Sequence, residues 1–203
     1  MSENAKKPRG LWIAFEGVDG SGKSTQVKIL SEKLGALPVF EPGNTKTGEK
    51  IREILLHGEN ISGITEALLF AADRVEHLEK VVEPRLREGQ HVVSDRSVWS
   101  SVMYQGISRG LGAEKIIELN MWACNKVFPD LVIYLQSKAK NADRISQPDR
   151  IEAEGEGFFN EVRRGFEDHA QKLGWVVIKE GSIEEVAAEI EAAVLDKIRE
   201  KNQ

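Results

Sequence analysis

The most chemically informative segment of the chain lies near its start, where a glycine-rich run matches the pattern Gly-x-x-x-x-Gly-Lys-Ser. The run consists of Gly17, Val18, Asp19, Gly20, Ser21, Gly22, Lys23, Ser24 and Thr25. Glycines let several backbone N–H groups turn inward around a phosphate, the lysine can reach the β- and γ-phosphates, and the first hydroxyl can ligate Mg²⁺. A chance glycine-rich turn is disfavoured, because an apolar run precedes the motif and a helical pattern follows it. The motif therefore predicts a nucleoside triphosphate site, without separating a kinase from a GTPase or an ATPase.

Short apolar runs alternate with longer amphipathic segments along the chain. The runs predict strands at residues 11–15, 37–40, 91–94, 131–135 and 175–178. They are rich in Val and Ile and mostly lack polar alternation, which is typical of strands covered on both faces. The expected fold class is therefore α/β: a three-layer α/β/α sandwich of the phosphate-loop NTPase type, with a five-stranded parallel sheet. Ligands in such folds bind at the carboxyl ends of the strands.

Two helical patterns are the clearest. One runs from about residue 62 towards residue 88, and Pro84 is expected to kink or restart it. Its apolar stripe is predicted to comprise Ile64, Leu68, Ala71, Val75, Leu78 and Val82. The other pattern is the C-terminal helix, for which Ser182 and Glu185 form a capping box. Both patterns supply the helical layers that an α/β fold requires.

Composition bounds the class of protein. A chain of 203 residues with 40% hydrophobic and 30% charged residues fits one globular domain. We place that domain at residues 11–203, after a loose polar tail at residues 1–10. The net charge of −5 argues against a nucleic-acid partner, and no apolar run approaches the roughly 18 residues of a membrane span. Cys124 is interpreted as a buried small hydrophobe, and a single cysteine fits a reducing cytoplasm.

Several segments, in order, resemble those of the thymidylate kinase family. They are residues 15–25, Glu41-Pro42-Gly43 leading to 48–52, residues 68–77, Asp95-Arg96-Ser97 to Gly106, Pro129-Asp130-Leu131, and Asp149-Arg150-Ile151-Glu152. The resemblance covers nearly the whole chain from Leu11 onward. It implies a cytoplasmic enzyme that transfers the γ-phosphate of ATP to dTMP, giving dTDP for dTTP synthesis, with Mg²⁺ as cofactor. Homodimers are common in this family.

Two pairs of residues at helical spacing are candidates for binding a nucleobase. Phe70 and Arg74 are four apart and share a face of one predicted helix, and Ser101 and Gln105 repeat that spacing. From the residues alone, a packed ring with a solvated arginine is at least as common for Phe70 and Arg74 as a base site. A solvated polar face is the more common outcome for Ser101 and Gln105. A glutamine can donate and accept at once, as thymine's N3–H and adjacent carbonyl require. The resemblance implies that Phe70 stacks on thymine and Arg74 contacts its O4. It also implies base contacts for Ser101 and Gln105, and a position for Tyr104 beneath the sugar.

Asp95 and Arg96 directly follow the third predicted strand. The carboxylate can hold Mg²⁺ with Ser24, and the planar guanidinium can bridge the donor and acceptor phosphates. A surface ion pair is the alternative interpretation. The position at a strand's carboxyl end favours the functional one.

Three further residues acquire a role from the resemblance. It implies that Asp19 faces the acceptor phosphoryl group and sugar, and that Arg52 binds the dTMP phosphate. Glu41 is expected to support Arg52 or the magnesium shell. The chain departs from many bacterial relatives at Phe40, where they have arginine, and at Asn44, where they often have glycine. The phosphate contacts of this loop are therefore expected to differ somewhat.

The resemblance also implies a short lid at about residues 138–156. Because the phosphate loop offers no cation beyond Lys23, a second cation is expected to stabilise the charge spread over the transferring phosphoryl group. We predict that Arg150, with Arg144, reaches the ATP phosphates. An ion pair of Arg150 with Glu152 or Glu154 is the alternative. The predicted catalytic residues are Asp19, Lys23, Arg96 and Arg150.

Two other functions for a phosphate-loop protein predict different sequence features. A kinase for another nucleotide or a nucleoside would differ in its base pocket. A GTPase switch or regulatory ATP-binding module would carry an Asn-Lys-x-Asp segment, whereas Asn125-Lys126 is followed here by Val127-Phe128. The histidines lack metal-ligand spacing and are interpreted as structural or solvated. They are His57, His77, His91 and His169.

Overall fold

The computed structural model describes residues 8–137 and 149–201. Within this part of the chain, five strands form one parallel sheet in the order β2-β3-β1-β4-β5. The strands are β1 (Trp12–Glu16), β2 (Leu37–Phe40), β3 (Val92–Asp95), β4 (Leu131–Leu135) and β5 (Val176–Ile178). Each lies within one residue of its predicted bounds. The predicted α/β class is confirmed.

Helices cover both faces of the sheet. They are α1 (Lys23–Leu34), α2 (Lys46–His57), α3 (Gly63–His77), α4 (Glu83–Arg87), α5 (Val98–Ser101), α6 (Ala113–Ala123), α7 (Glu156–Leu173) and α8 (Ile183–Lys201). Two segments, Leu78–Val82 and Val102–Ser108, are π-helical. Over residues 8–137 and 149–201, no helix combines the length and the apolar character that crossing a membrane demands.

β1 is the central strand and is buried along its whole length. Its apolar residues face helices on both sides, and each large aliphatic side chain buried in this way contributes about 1.5–3 kcal/mol. The register pairs Phe15 with Asp95 of β3 and Glu16 with Tyr134 of β4. The carboxyl ends of β1 and β3 are therefore adjacent, and the loops that follow them leave the sheet side by side.

Two apolar clusters lie on the faces of the sheet. Beneath α1 and α8, the cluster includes Val27, Leu30, Ile190 and Val194. The cluster beneath α7 includes Tyr134, Val162 and Phe166. At the start of α8, Ser182 Oγ accepts from the Glu185 N–H at 3.2 Å, and the Glu185 carboxylate accepts from the Ser182 N–H at 2.9 Å. The predicted capping box is present and fixes where α8 begins.

The helix predicted from residue 62 to residue 88 is three segments. α3 ends at His77, the π-helical turn Leu78–Val82 follows, and α4 restarts with Pro84 in its first turn. The predicted apolar stripe is wrong at its start, because Ile64 and Leu68 are 62% and 52% exposed. α3 instead turns Glu66, Ala67, Ala71 and Arg74 inward. Glu66 and Arg74 are buried charges that pair with residues outside α3, and they occupy the inner face in place of the aliphatic residues.

Cys124 lies just after α6 and is buried, as predicted. It packs in a third apolar cluster with Trp12 and Val82. Burial raises the pKa of its thiol to about 11. The thiol therefore remains protonated at neutral pH.

Gly10, immediately before β1, provides a test of how tightly the chain packs at the entry to the sheet. A Cβ at this position would lie 2.0 Å from the carbonyl oxygen of Gln90, and backbone atoms cannot yield as a side chain can. We expect Gly10→Ala to lower the free energy of unfolding by about 1–3 kcal/mol, measured by urea denaturation. Gly157→Ala in α7 is the control, since no atom lies within 4 Å of its added Cβ. Its stability should be unchanged or increased by up to about 1 kcal/mol. Equal effects of the two substitutions would contradict the packing argument.

Candidate active site

The glycine-rich run forms a loop between β1 and α1. Gly17, Gly20 and Gly22 have φ values of 147°, 78° and 91°, which L side chains rarely adopt. A Cβ at Gly17 would also lie 2.8 Å from the carbonyl oxygen of Leu135. Gly22 precedes the first turn of α1, so free N–H groups and the positive end of the helix dipole face the loop. This arrangement fits the predicted phosphate cradle.

Lys23 is the first residue of α1 and is only 5% exposed. Its ammonium group donates to the carbonyl of Val18 at 3.0 Å and lies 4.0 Å from the Asp19 carboxylate. Burial and the neighbouring Arg96 lower the pKa of Lys23 to about 8. A buried ammonium with few partners is the kind of group that an incoming polyphosphate would stabilise.

Ser24 and Asp95, the two residues predicted to hold Mg²⁺, lie in contact. The Ser24 hydroxyl donates to the Asp95 carboxylate at 2.6 Å. Within residues 8–137 and 149–201, no group of three or more His, Cys, Asp or Glu side chains could hold a metal by itself. A hydroxyl and a carboxylate at the mouth of a phosphate loop fit Mg²⁺, because this ion keeps several waters and is usually bound through one or two protein oxygens plus substrate phosphates.

Arg96 has a φ of 73° and lies between the phosphate loop and the helix that follows β3. Its guanidinium pairs with the Asp19 carboxylate and donates to the Gly17 carbonyl at 3.3 Å and the Ser100 hydroxyl at 3.0 Å. It also lies 5.1 Å from the centre of the Tyr104 ring. A left-handed backbone at a non-glycine residue costs about 1–3 kcal/mol, so the surrounding contacts must hold it in place. Arg96 is therefore fixed beside the phosphate loop.

Glu16 is a further residue of the site, and the sequence pattern predicts no role for it. It is fully buried at the end of β1 and accepts hydrogen bonds from Ser97 and Ser100, each at 2.6 Å. Burial raises the pKa of Glu16 to about 7, although both serines and Arg96 oppose that rise. Because Ser100 also accepts from Arg96, Glu16 helps to position that guanidinium. The detectable signal was an acidic residue at the end of an otherwise apolar strand.

Two cavities meet at this edge of the sheet. The larger is lined by the phosphate loop from Asp19 onward, by Asp95, and by residues 178–181 after β5. The smaller lies among α2, α3 and the helix after β3. Every residue predicted to bind the acceptor nucleotide lines the smaller cavity: Asp19, Glu41, Arg52, Phe70, Arg74, Arg96, Ser101, Tyr104 and Gln105. Asp19, Glu41, Arg52 and Arg96 line both cavities.

Arg74 is buried, with only 2% of its surface exposed. It donates to the Glu41 carboxylate at 2.8 Å, to Asn120 at 2.5 Å, and to the Ser97 carbonyl and Ser101 hydroxyl at 3.3 and 3.1 Å. Burial opposes ionisation of Glu41, but Arg74 outweighs it and holds the pKa of that carboxyl below its usual value. Arg74 is therefore part of the buried framework of the cavity wall.

The expected role of Glu41 needs correction. The predicted support of Arg52 is not present, because the Glu41 carboxylate pairs with Arg74 and with His77 Nδ1, the latter at 3.1 Å. The alternative role in the magnesium shell stays a prediction. Arg52 instead donates to the Pro42 carbonyl at 2.8 Å, and its guanidinium carbon lies 5.8 Å from the centre of the Phe40 ring. Phe40 thus contacts Arg52 through its π-face.

Arg150 does not face the phosphate loop in this structure. Its guanidinium donates to the Leu55 carbonyl at 2.9 Å and to the Glu66 carboxylate at 2.7 Å. The alternative pairing with Glu152 or Glu154 is also absent, because Glu66 supplies the carboxylate. Arg144 and most of the predicted lid lie outside the described residues. A role for these arginines on ATP remains a prediction.

The buried carboxyl of Glu16 should make stability depend on pH. Between pH 4.5 and about 7 the folded state retains a proton that the unfolded state has released, so stability falls as pH rises through this window. Glu16→Gln cannot titrate and lacks this dependence. We expect the unfolding free energy of the wild type, relative to that of Glu16→Gln, to fall by about 3 kcal/mol across the window. Urea titrations at half-unit pH intervals measure the difference, and parallel pH profiles would contradict the assignment.

Comparison with known proteins agrees with this geometry. The family model described as Thymidylate kinase matches residues 15–190. The thymidylate kinase of Thermosipho africanus is 42% identical over 195 residues, covering 91% of this chain and 97% of the relative. That of Caldicellulosiruptor saccharolyticus is 38% identical over 205 residues, covering 95% and 100%. The crystal structure of thymidylate kinase from Ehrlichia chaffeensis has a TM-score of 0.79 and 30% identity, covering 93% of this chain and 100% of that one. The chain therefore belongs to the thymidylate kinase family.

Proposed function

We propose that this chain transfers the γ-phosphate of ATP to dTMP, giving dTDP and ADP, where its two cavities meet. The observation that supports this site most directly is that Asp19, Glu41, Arg52 and Arg96 line both cavities. A donor phosphate in the phosphate loop and an acceptor phosphate near Arg52 would then approach each other across Arg96. Phosphoryl transfer depends mainly on such positioning and on charge stabilisation.

The reaction needs little covalent help from the protein. A phosphate oxygen of dTMP forms a bond to the γ-phosphorus while the bond from that phosphorus to the β,γ-bridging oxygen breaks, and ADP leaves with the electron pair. No side chain has to act as a general base, because the dTMP phosphate is already an anion. Lys23 and Arg96 stabilise the charge on the transferring group, and Asp19 holds Arg96 in place.

Mg²⁺ is the metal that the site suits best. Ser24 and Asp95 would hold it, Asp95 through water. When bound, the ion neutralises charge on the β- and γ-phosphates. The phosphate loop, Lys23 and Arg96 would orient those phosphates.

Thymine would bind in the smaller cavity. Phe70 is half-buried at its wall and offers a face for stacking. Four hydrogen bonds occupy Arg74, which leaves one N–H for the thymine O4. Tyr104 lies beside Asp19 and Arg96, where the sugar would approach them. Ser101 and Gln105 complete the base contacts.

Arg150 reaches ATP only if it exchanges its present partners for the phosphates. It would have to leave the Leu55 carbonyl and Glu66, both on the acceptor side of the site. We retain the hypothesis that the lid, at about residues 138–156, brings Arg150 and Arg144 to the donor phosphates. The cytoplasm, where ATP and nucleoside monophosphates are available, is the proposed location.

A homodimer is the proposed assembly. α3 packs against α2 and α6, and these helices expose large apolar side chains. The exposed residues are Ile54, Ile64, Leu68, Met121 and Trp122. An exposed apolar group of this kind marks an interaction surface, and a second copy of the chain presents the same surface.

The acceptor preference tests the proposed function. With ATP and Mg²⁺, kcat/KM should be highest for dTMP. For dUMP it should be lower by about 10–200-fold, because a thymine methyl in an apolar pocket contributes about 1–3 kcal/mol. dCMP, dAMP and dGMP should be poorer still, and ADP release without an acceptor should be negligible. A coupled ADP-release assay measures each rate, with Lys23→Met as the inactive control. Faster turnover of a purine monophosphate, or ATP hydrolysis without an acceptor, would refute the proposal.

The oligomeric state tests the proposed interface. The wild type should sediment at twice the chain mass of 22.6 kDa. Leu68→Glu places a charge on the exposed face of α3 and should give a monomer, because a dimer would have to bury that charge without a partner. Leu195→Glu on α8 changes an apolar residue of 38% exposure on another helix and should leave the mass unchanged. Sedimentation equilibrium distinguishes these results. A monomeric wild type would exclude this interface.

A further inference from the structure

Glu66, in the first turn of α3, is a fully buried carboxylate on the acceptor side of the site. One oxygen accepts from Gln105 Nε2 at 2.8 Å and from Arg109 Nε at 3.3 Å. The other accepts from Arg109 Nη2 at 3.2 Å and from Arg150 Nη2 at 2.7 Å. Three side chains therefore converge on one carboxylate: Gln105 and Arg109 from the helix that follows β3, and Arg150 from a later segment.

The two arginines keep Glu66 ionised and fixed in place. Burial alone would raise the pKa of this carboxyl, but the hydrogen bonds from Gln105, Arg109 and Arg150 outweigh burial and lower it. Arg109 donates to both carboxylate oxygens of Glu66. It also donates to the Glu154 carboxylate at 2.5 Å, and its guanidinium carbon lies 4.8 Å from the centre of the Phe158 ring. Such a forked, charge-assisted contact restricts the orientation of the carboxylate.

An ionised carboxylate can only accept hydrogen bonds, so it determines which way the Gln105 carboxamide points. The NH₂ group must face Glu66, and the carbonyl oxygen must lie at the other end of the amide. Gln105 is 1% exposed and lines the smaller of the two cavities. Among the residues that the structure describes, none donates a hydrogen bond to that carbonyl oxygen. The oxygen is also absent from the buried polar atoms that lack a partner, so it remains open to solvent or to a ligand in the cavity.

The polarity of that acceptor distinguishes the pyrimidines. Thymine and uracil carry a hydrogen at N3 and would donate to the Gln105 carbonyl. Cytosine has a lone pair at N3, so two acceptors would face each other and both would lose their hydrogen bonds to water. A carboxamide free to rotate by 180° would remove this difference, because it could present its NH₂ group to cytosine instead.

We propose that Glu66 is a positioning residue that holds the Gln105 carboxamide with its carbonyl towards the base, and thereby selects thymine and uracil over cytosine. This role rests on the proposed dTMP kinase function. Glu66 acts only through Gln105 and does not touch the nucleotide. Its influence should therefore appear in the choice between bases that differ at N3, and be absent between bases that differ only in the methyl group.

The test compares three acceptors in Glu66→Gln, a variant of nearly identical shape that can donate as well as accept. The full chain is assayed with ATP and Mg²⁺, and kcat/KM is measured for dTMP, dUMP and dCMP. The inhibition constant of dCMP against dTMP gives its affinity where turnover is too slow. We expect the preference for dTMP over dCMP to fall about tenfold, the effect of one hydrogen bond, while the preference for dTMP over dUMP stays within about twofold. Loss of the Arg150 contact would change kcat for all three acceptors alike, so it cancels in these ratios.

Two control variants isolate the contact between Glu66 and Gln105. Arg109→Gln removes the two hydrogen bonds from Arg109 to Glu66 but leaves the one from Gln105. This variant should therefore keep the preference for dTMP over dCMP. Gln105→Met removes the amide, and adding Glu66→Gln to it should then have no further effect on that preference. If the unpaired arginines prevent Glu66→Gln from folding, the double variant Glu66→Gln/Arg109→Gln carries one charge fewer and is compared with Arg109→Gln.

The possible outcomes separate the two proposals. An equal loss of activity towards all three acceptors, with unchanged ratios, would overturn the positioning role and leave Glu66 a purely structural residue. The same would follow if Glu66→Gln still changed the preference against dCMP in the Gln105→Met background. A wild-type protein that phosphorylates dCMP as well as dTMP, or neither, would instead overturn the proposed function itself.

Discussion

Arg96 connects the two halves of the site through contacts that it makes with both. It reaches the phosphate loop through Asp19 and the Gly17 carbonyl, and the helical layer through Ser100 and Tyr104. Burial alone would disfavour its charge, but Asp19 more than compensates and holds the pKa of the guanidinium far above its usual value. Because this cation is largely removed from water, substrate phosphates would meet it with little competition from solvent. The positions of Asp19, Ser100 and Glu16 all depend on it.

α3 has an unusual interior face for a helix packed in a core. It buries Glu66, Asp73, Arg74 and His77 rather than an aliphatic stripe. Arg74 pairs with Glu41 after β2, and Glu66 pairs with Arg109 and Arg150 from later segments. Such networks add little net stability, but they penalise every arrangement that leaves a buried charge unpaired. The smaller cavity is consequently lined by side chains with fixed orientations.

Sequence reasoning succeeded where a local pattern determines structure. The glycine-rich loop, the five strands and the α8 capping box each depend on neighbouring residues, and each appears within one residue of its expected position. Contacts between residues that are distant in sequence do not follow from such local patterns. Glu41 meets Arg74 thirty-three positions later, and Arg150 meets Glu66 eighty-four positions earlier. Periodicity reports which residues share a face but not which face is buried, so the predicted stripe includes Ile64 and Leu68 although both are exposed. The cavity lining came from the family resemblance, since helical spacing alone did not separate a base pocket from a packed ring.

The burial of Cys124 has a practical consequence. It is the one cysteine of the chain, and its thiol is both enclosed and held protonated at neutral pH. Reagents that attack thiolates therefore find little to modify in the folded protein. A cysteine introduced on an exposed surface would be the preferred site for a maleimide dye or a spin label, with no native thiol to remove beforehand. The chain is thus already suited to measuring distances between pairs of labels placed on its surface.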